Sequence, residues 1–136
     1  AKGAPLRVDL DGIAQRVAAF PVHEGLFGQI AGVAGGRGKV LWTAFDIAGA
    51  HGRGGHKNDS GRLELFDFDT GRSETMLDKV ERFALSHDGS TLLAQCGKRL
   101  RALDPTRVPD KNGADDAPSR KSGWLDLNRV RVSVDP

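Results

Sequence analysis

The sequence predicts an all-β fold of antiparallel sheets, and three observations lead to that fold class. Helical periodicity is almost absent from the 136 residues, whereas short stretches of alternating apolar and polar residues recur. Glycine, aspartate and proline separate these stretches, and the chain has 18 glycines but a single methionine. With 38% hydrophobic and 28% charged residues, the composition is that of a chain that folds, and its length is that of one ordinary domain.

The first part of the chain contains four predicted strands. A turn at 36–38 joins the first two into a hairpin, and a turn at 69–72 joins the last two, with glycine where a positive φ is required. Between the hairpins, residues 47–61 are rich in glycine and histidine and predict a long loop. The four strands are predicted at 26–35, 39–46, 62–69 and 73–80.

The strand pattern then restarts. A turn at 87–90 and a break at Gly97 separate three more short strands, and residues 106–123 are polar and typical of a linker. Residues 124–136 end in an alternation of valines and arginines, which predicts a last strand. The three short strands are predicted at 81–86, 91–96 and 99–105.

A repeated sequence pattern indicates how these strands are organised. In RLELFDFDTGR and RLRALDPTR a basic residue precedes an alternating strand that ends in aspartate, and Leu63 and Leu100 are 37 residues apart. Blades of common β-propellers repeat about every 40–45 residues, and a closed propeller needs about four or more blades. We therefore predict about two β-propeller-type blades excised from a larger propeller. Residues 1–25 are leading strands, 26–80 are the first blade, and 81–136 are a second, partial blade with its linker and exit strand.

Charge and cysteine content narrow the function classes. Twenty lysines and arginines nearly balance 18 aspartates and glutamates, so the net charge of +2 predicts no nucleic-acid and no membrane partner. Cys96 is the single cysteine, which excludes an internal disulfide and fits a reducing, cytoplasmic location. The absence of an initiating methionine and the abrupt end are expected of an excised or processed segment.

Two motifs resemble ligand loops but fail their own rules. Asp9, Asp11 and Gly12 begin like a calcium loop, yet the glycine falls at position 4 rather than 6 and a phenylalanine holds position 12. A strand-ending turn is the better interpretation. Gly38 and Lys39 resemble a phosphate loop, but valines occupy the positions that need glycine and a hydroxyl.

The nucleophiles and histidines also favour structural roles. His51 and His56 in the glycine-rich loop offer too few ligands for a zinc site. Ser86 precedes His87, but neighbours in a strand point to opposite faces and the following DGS predicts a turn. Cys96 lies in an apolar strand, as core residues do. We therefore predict no catalytic, cofactor-binding or metal-binding residue and no cofactor.

Several ordered motifs resemble one protein family. VDLDGIAQRVAAFPV (8–22), LELFDFDTGRSETML, FALSHDGSTLLAQCGKRLRALD and WLDLNRVRVSVDP are similar to successive parts of tricorn proteases and their bacterial tricorn-like relatives. The similarity covers most of the chain and lacks clear counterparts only for the two loops at 47–61 and 106–122. It implies the C-terminal part of the second propeller, just before the catalytic half.

The resemblance implies a large, cytosolic, homo-oligomeric serine peptidase that degrades oligopeptides. Its catalytic residues would lie beyond Pro136, so this chain would be a noncatalytic segment that contributes to scaffold and substrate gating. A stand-alone β-rich binding or scaffold domain is the alternative, which a native gene boundary at residue 1 would favour. A small metal-binding protein is a third, which tight zinc binding by His51 and His56 would favour. Blades removed from a ring expose edges and apolar faces, so we expect self-association, or residues 6–10 and 129–134 folding back onto the blades.

Overall fold

The computed structural model describes residues 5–35, 38–46, 60–110 and 116–133. Within these ranges the strands form two antiparallel sheets, each with its strands in chain order. The four-stranded sheet, called the first sheet, holds β1 (Leu26–Gly32), β2 (Lys39–Phe45), β3 (Gly61–Asp67) and β4 (Arg72–Val80). The three-stranded sheet, called the second sheet, holds β5 (Arg82–Leu85), β6 (Leu92–Cys96) and β7 (Arg99–Leu103). The predicted all-β class is confirmed, and the architecture is that of propeller-type blades.

The predicted turn at 69–72 and the break at Gly97 lie between the strands they were expected to join, whereas residues 36 and 37 of the predicted turn at 36–38 lie outside the described ranges. Gly71 has a φ of 65° and donates its N–H to the Asp67 carbonyl at 2.8 Å, which closes the turn from β3 to β4. Gly97 has a φ of 62° between β6 and β7. Glycine reaches this left-handed region without the Cβ clash that other residues meet. The glycines that punctuate the sequence therefore set the hairpins.

The main core lies between the two sheets. Alternate residues of the strands turn inward and meet across the interface, as expected when apolar residues recur with a period of two. Leu63 of β3 and Leu92 of β6 are fully buried there. The buried members of this core are Val33, Leu41, Leu63, Leu65, Met76, Leu77, Val80, Phe83, Leu92 and Ala94.

A glutamine side chain joins the first strands of the two sheets. The pairing of β1 with β2 shifts register between Phe27 and Ile30, and Gln29 lies within this irregularity. Its amide donates to the Phe83 carbonyl at 3.1 Å and accepts from the Phe83 N–H at 2.8 Å. These two groups of β5 lie at the edge that no strand of the described ranges covers. Gln29 thus satisfies them as a neighbouring strand would.

The second face of the first sheet carries an aromatic cluster. Trp42, Ala44 and Phe66 are buried there, with Val22 and Val40 packed against them. Phe20 lies over this face, with its ring centroid 5.9 Å from that of Trp42.

The leading strands predicted within 1–25 are not present in residues 5–25. Asp11 and Gly12 do form the predicted turn, but it opens into a 3₁₀ helix at Ile13–Arg16 rather than ending a strand. Asp9 stabilises this local structure by accepting from the Asp11 N–H at 3.2 Å and pairing with Arg16. No strand of the described ranges runs beside this segment, so its backbone has no ladder to join.

The exit strand predicted at 124–136 is also wrong for residues up to 133. Only Trp124 makes a strand-like bridge, to Arg101, and a 3₁₀ helix follows at Leu127–Arg129. Val132 is 81% exposed. Residues 6–10 do not fold back onto the sheets either, since Leu6 is 92% exposed. An alternating pattern without a neighbouring strand does not make a sheet.

The predicted linker at 106–123 is partly structured. Ser119 accepts from the Ser122 N–H through its hydroxyl at 3.0 Å, and its carbonyl accepts from the Gly123 N–H at 2.9 Å. Gly123 and Leu125 then pair with the outer edge of β7, through Ala102 N–H to Gly123 carbonyl and Leu125 N–H to Leu100 carbonyl. The segment 123–125 therefore takes the place of a fourth strand in the second sheet.

Candidate functional site

A groove lies between the two sheets. Its volume is about 690 Å³. One wall is β4, the outer strand of the first sheet, and the other wall comes from β6, β7 and the tryptophan that follows Gly123. The lining residues used below are Lys79, Cys96, Arg99, Arg101, Asp116 and Trp124.

Two arginines stack on Trp124 at one wall of this groove. Arg99 and Arg101 are two residues apart in β7 and therefore share a face of the strand. The Arg99 guanidinium carbon lies 3.9 Å from the Trp124 ring centroid, and that of Arg101 lies 5.2 Å away. Both distances fall within the about 6 Å over which a cation is attracted to an aromatic face.

Hydrogen bonds hold these arginines in place. The Arg101 Nε donates to the Ser122 carbonyl at 2.7 Å. Arg99 pairs with Asp116, its Nη1 lying 3.8 Å from Oδ1, and it also donates to the Asp116 carbonyl. Ordered guanidinium groups beside an aromatic ring suit the binding of carboxylates and of extended peptide backbone.

The opposite wall contains a backbone irregularity at Lys79. Its φ of 58° is the one positive value at a non-glycine position among the described residues. The pairing of β3 with β4 shifts register on both sides of Leu63, next to this point. Such bulges bend a strand, and this one lies near the end of β4, just before β5 begins at Arg82. Lys79 lines the groove.

Cys96 lies in the groove but is not activated as a nucleophile. Burial raises the pKa of its thiol, and the charges of Arg101 and Arg99 offset this only in part. A thiol acts as a nucleophile through its thiolate. At neutral pH Cys96 is therefore protonated and packs as an apolar side chain against the main core.

Ser86 belongs to the turn between β5 and β6. Its hydroxyl donates to Asp88 Oδ1 at 2.6 Å and accepts from the Thr91 N–H at 3.0 Å. Asp88 also accepts from Ser90, and together these hydrogen bonds lower the pKa of Asp88 to about 2. The predicted turn at 87–90 is confirmed, and both hydrogen bonds of Ser86 serve it.

The remaining motif residues do not assemble into a ligand site. Lys39 binds Asp67 at 3.0 Å and lowers the pKa of that carboxyl, so it acts as a structural pair rather than in a phosphate loop. In the described ranges no group of three or more histidines, cysteines, aspartates or glutamates could hold a metal ion. His51 and His56 lie outside those ranges. No helix in the described part of the chain is long and apolar enough to cross a membrane.

Comparison with known proteins identifies the family. The chain is 36% identical over 95% of its length to a tricorn protease homolog of Saccharolobus solfataricus. It is 34% identical over 96% of its length to a putative tricorn-like protease C-terminal subunit of Sulfurisphaera tokodaii. The chain belongs to the tricorn-like family. A putative tricorn protease homolog 2 of Streptomyces coelicolor is also similar, with 28% identity over 99% of the chain.

The chain covers only a small part of these tricorn-like relatives. It spans 11% of the Saccharolobus protein and 14% of the Sulfurisphaera protein. No protein-family profile matches the sequence, and no solved structure matches it. The activity of the whole protein is therefore a matter for proposal.

Of the groove residues named above, sequence reasoning considered Cys96 but not Lys79, Arg99, Arg101, Asp116 or Trp124. Arg99, Arg101 and Trp124 meet because residues 123–125 return to the edge of β7. The available signal was a pair of arginines two positions apart in β7, followed later by a tryptophan after a glycine. That signal indicates a shared strand face but does not say which residue covers it.

Proposed function

We propose that this chain is a noncatalytic β-propeller segment of a tricorn-like serine peptidase and contributes to its scaffold and to substrate gating. The observation that carries the proposal is the pair of stacked antiparallel sheets in a sequence similar over 95% of its length to a tricorn protease homolog. In this proposal the chemistry lies in the rest of a cytoplasmic, homo-oligomeric protein. Oligopeptides are the substrates.

Two features of the described residues support a role without bond cleavage. Both hydrogen bonds of the Ser86 hydroxyl stabilise a turn. Burial raises the pKa of the Cys96 thiol and keeps it protonated. A nucleophile needs an adjacent base or a lowered pKa to act. The Ser86 hydroxyl donates to Asp88, but a carboxylate with a pKa of about 2 is a weak base, and the pKa of the Cys96 thiol is raised rather than lowered.

The groove supports the gating part of the proposal. An extended peptide presents backbone acceptors and a terminal carboxylate, which the guanidinium groups of Arg99 and Arg101 can bind. Trp124 offers an aromatic surface beside them. A long peptide could bind in this groove while its scissile bond lies in a catalytic site elsewhere in the protein. A very short peptide could not reach both places at once.

The experiment measures hydrolysis of fluorogenic peptides of increasing length. Chain 1–136 alone is expected to be inactive, and the intact protein with its flanking residues is expected to be active. In the intact protein, Arg101→Gln should lower kcat/KM for long peptides and leave the shortest peptides unchanged. Arg107→Gln is the matched control, because Arg107 is exposed and pairs with Asp104 outside the groove.

Three outcomes would contradict the proposal. Activity of chain 1–136 that Ser86→Ala abolishes would make this segment catalytic. Equal loss for short and long peptides in Arg101→Gln would indicate a folding defect instead of gating. Unchanged kinetics at every length would remove the groove from the peptide path.

A further inference from the structure

The edge of β5 that faces away from β6 is closed by one side chain. Gln29 donates to the Phe83 carbonyl at 3.1 Å and accepts from the Phe83 N–H at 2.8 Å. In an antiparallel ladder a strand residue offers its neighbour the same two groups, one donor and one acceptor. The Gln29 carboxamide therefore occupies the position in which the peptide group of an added strand would lie.

The first sheet holds Gln29 in this position through its backbone. The register of β1 against β2 shifts between Phe27 and Ile30, and such a bulge can redirect a side chain. Thr43 is buried, and its hydroxyl accepts from the Gln29 N–H at 2.9 Å. A Cβ at Gly28 would lie 2.6 Å from that hydroxyl oxygen, so the close approach requires glycine. The bulge, the hydroxyl and the glycine together direct the carboxamide toward β5.

Little of this edge of β5 remains open to another chain. β5 has four residues, and successive residues of an antiparallel strand direct their N–H and C=O groups to opposite sides. The Ser86 N–H donates to the Thr91 carbonyl on the side of β6, so Phe83 and Leu85 present their groups to the other edge. With Phe83 bound to Gln29, the groups of Leu85 alone remain for a new strand within the described ranges.

This margin of the two sheets is accessible to solvent. Gln29 is exposed, whereas Phe83 is only 5% exposed. Propeller blades surround a central channel. The first strands of the two sheets are joined here and a groove separates their outer strands, so β1 and β5 lie on the axial side of the proposed propeller. Oligopeptides that pass along the axis would therefore meet the edge of β5.

We propose that Gln29 protects the edge of β5 from strand addition, so that extended oligopeptides pass this edge without being captured. A free strand edge is a template for pairing with another chain, and strand addition binds peptides through main-chain hydrogen bonds. Gln29 competes with the peptide for the Phe83 groups because the fold holds it at the required position. This inference rests on the proposed passage of oligopeptides and adds the residue that keeps the passage free.

Binding of a strand-forming peptide to the intact protein tests this role. The probe is a fluorescent peptide of alternating threonine and valine with lysine at both ends, and a covalent serine-peptidase inhibitor is added first so that the probe is not consumed. Gln29→Ala should bind the probe about tenfold more tightly than the wild type, because both Phe83 groups become available. The matched control is Gln95→Ala, because the Gln95 carboxamide binds Glu81 and Gly97 away from that edge.

Hydrogen exchange at the Phe83 N–H shows where the probe binds. In the wild type this N–H donates to Gln29, so it should exchange slowly with or without the probe. In Gln29→Ala it should exchange faster, and the probe should slow it again. A copy of the probe that is N-methylated throughout its alternating segment lacks the donors for strand pairing and should neither bind nor slow the exchange.

A second variant keeps the test independent of a folding defect in Gln29→Ala. Gln29→Glu retains the shape of the side chain, but its ionised carboxylate cannot donate to the Phe83 carbonyl. It should therefore also bind the probe more tightly than the wild type at neutral pH. Circular dichroism identifies the variants that fold.

The other outcomes overturn the proposal. Equal binding of the probe by the wild type and by a folded variant would mean that Gln29 protects nothing. Binding that survives N-methylation, or that leaves the Phe83 exchange unchanged, would not be strand addition at this edge. Loss of folding in both variants would make Gln29 a purely structural residue. None of these readouts measures hydrolysis, so failure of this inference is distinguishable from failure of the proposed function.

Discussion

The two sheets complete their outer edges in different ways. In the first sheet β4 follows β3 through a tight turn and pairs along its length. In the second sheet the chain leaves β7 at Leu103 and returns only at 123–125, where two backbone hydrogen bonds join it to β7. Closing a long loop costs more entropy than closing a tight turn. The outer edge of the second sheet is therefore the weaker of the two, although both sheets share one core.

The shared core gives the largest expected effect. Leu63 and Leu92 lie on opposite sides of it, and both are fully buried. Leu63→Ala and Leu92→Ala should each lower the free energy of unfolding by about 2–5 kcal/mol. Both variants should unfold in a single transition by urea denaturation followed by circular dichroism. Two transitions in Leu92→Ala, with the first sheet persisting, would show that the sheets are separate units.

Substitution of Gly123 tests how firmly residues 123–125 are held at the outer edge of the second sheet. A Cβ at Gly123 would clash with the Ala102 carbonyl oxygen, and the residue has a φ of +77°. Gly97 has a φ of +62° with open space around it, so Gly97→Ala measures the conformational cost alone, about 1–2 kcal/mol. Gly123→Ala should lower the free energy of unfolding by more than Gly97→Ala does. It should also change the fluorescence of Trp124, because it displaces residues 123–125 from β7. Equal effects of the two variants would mean that 123–125 is not held against the sheet.

The smallest expected effect is on the pH dependence of stability, and it is tested by comparing the aspartates of two hairpin turns. Asp88 of the second sheet has a pKa of about 2, lowered first by its hydrogen bond from Ser86. Asp67 of the first sheet has a pKa lowered first by its hydrogen bond from Lys39. A lowered carboxyl pKa means that the stabilisation is complete above the ordinary value of 3.8 and is lost as pH falls toward the folded value.

Stability measured from pH 6 to about pH 2 with Asp67→Asn and Asp88→Asn checks this comparison. Each variant should differ most from the wild type at the upper end of the range, and the difference should become smaller toward the lower end, which is close to the folded pKa of about 2 of Asp88. Salt should weaken the contribution of Asp67, which rests on a lysine, more than that of Asp88, which rests on hydroxyl and backbone donors. A difference that grows on acidification would reverse the assigned direction of the pKa shifts.

The sequence predicted the parts of the fold whose cause is local. Alternation with a period of two and glycines at positive φ, such as Gly71, located the strands and hairpins because both act within a few residues. The same alternation failed around Val132, because a strand also needs a partner that the pattern cannot reveal. Tricorn-like membership was predicted from ordered motifs and is confirmed.

Long-range features were beyond that kind of reasoning. Gln29 and Phe83 are 54 residues apart, and the glutamine is a polar residue in an otherwise apolar strand. Its role follows only once the bulge in β1 turns it toward β5. The same holds for Arg99 and Trp124, whose stacking depends on how residues 116–125 return to the sheet. The cytoplasmic location, the oligomeric state and the absence of catalytic residues stay predictions.

The Gln29 link has a geometric consequence. It fastens the first strands of the two sheets at a separation set by one side chain, whereas the groove opens between their outer strands. Two sheets that are joined along one edge and separated along the other enclose an angle. In a closed propeller the angle between neighbouring sheets determines how many sheets fit around the axis. In a closed propeller we would therefore expect the Gln29 carboxamide to contribute to the angle between these two sheets.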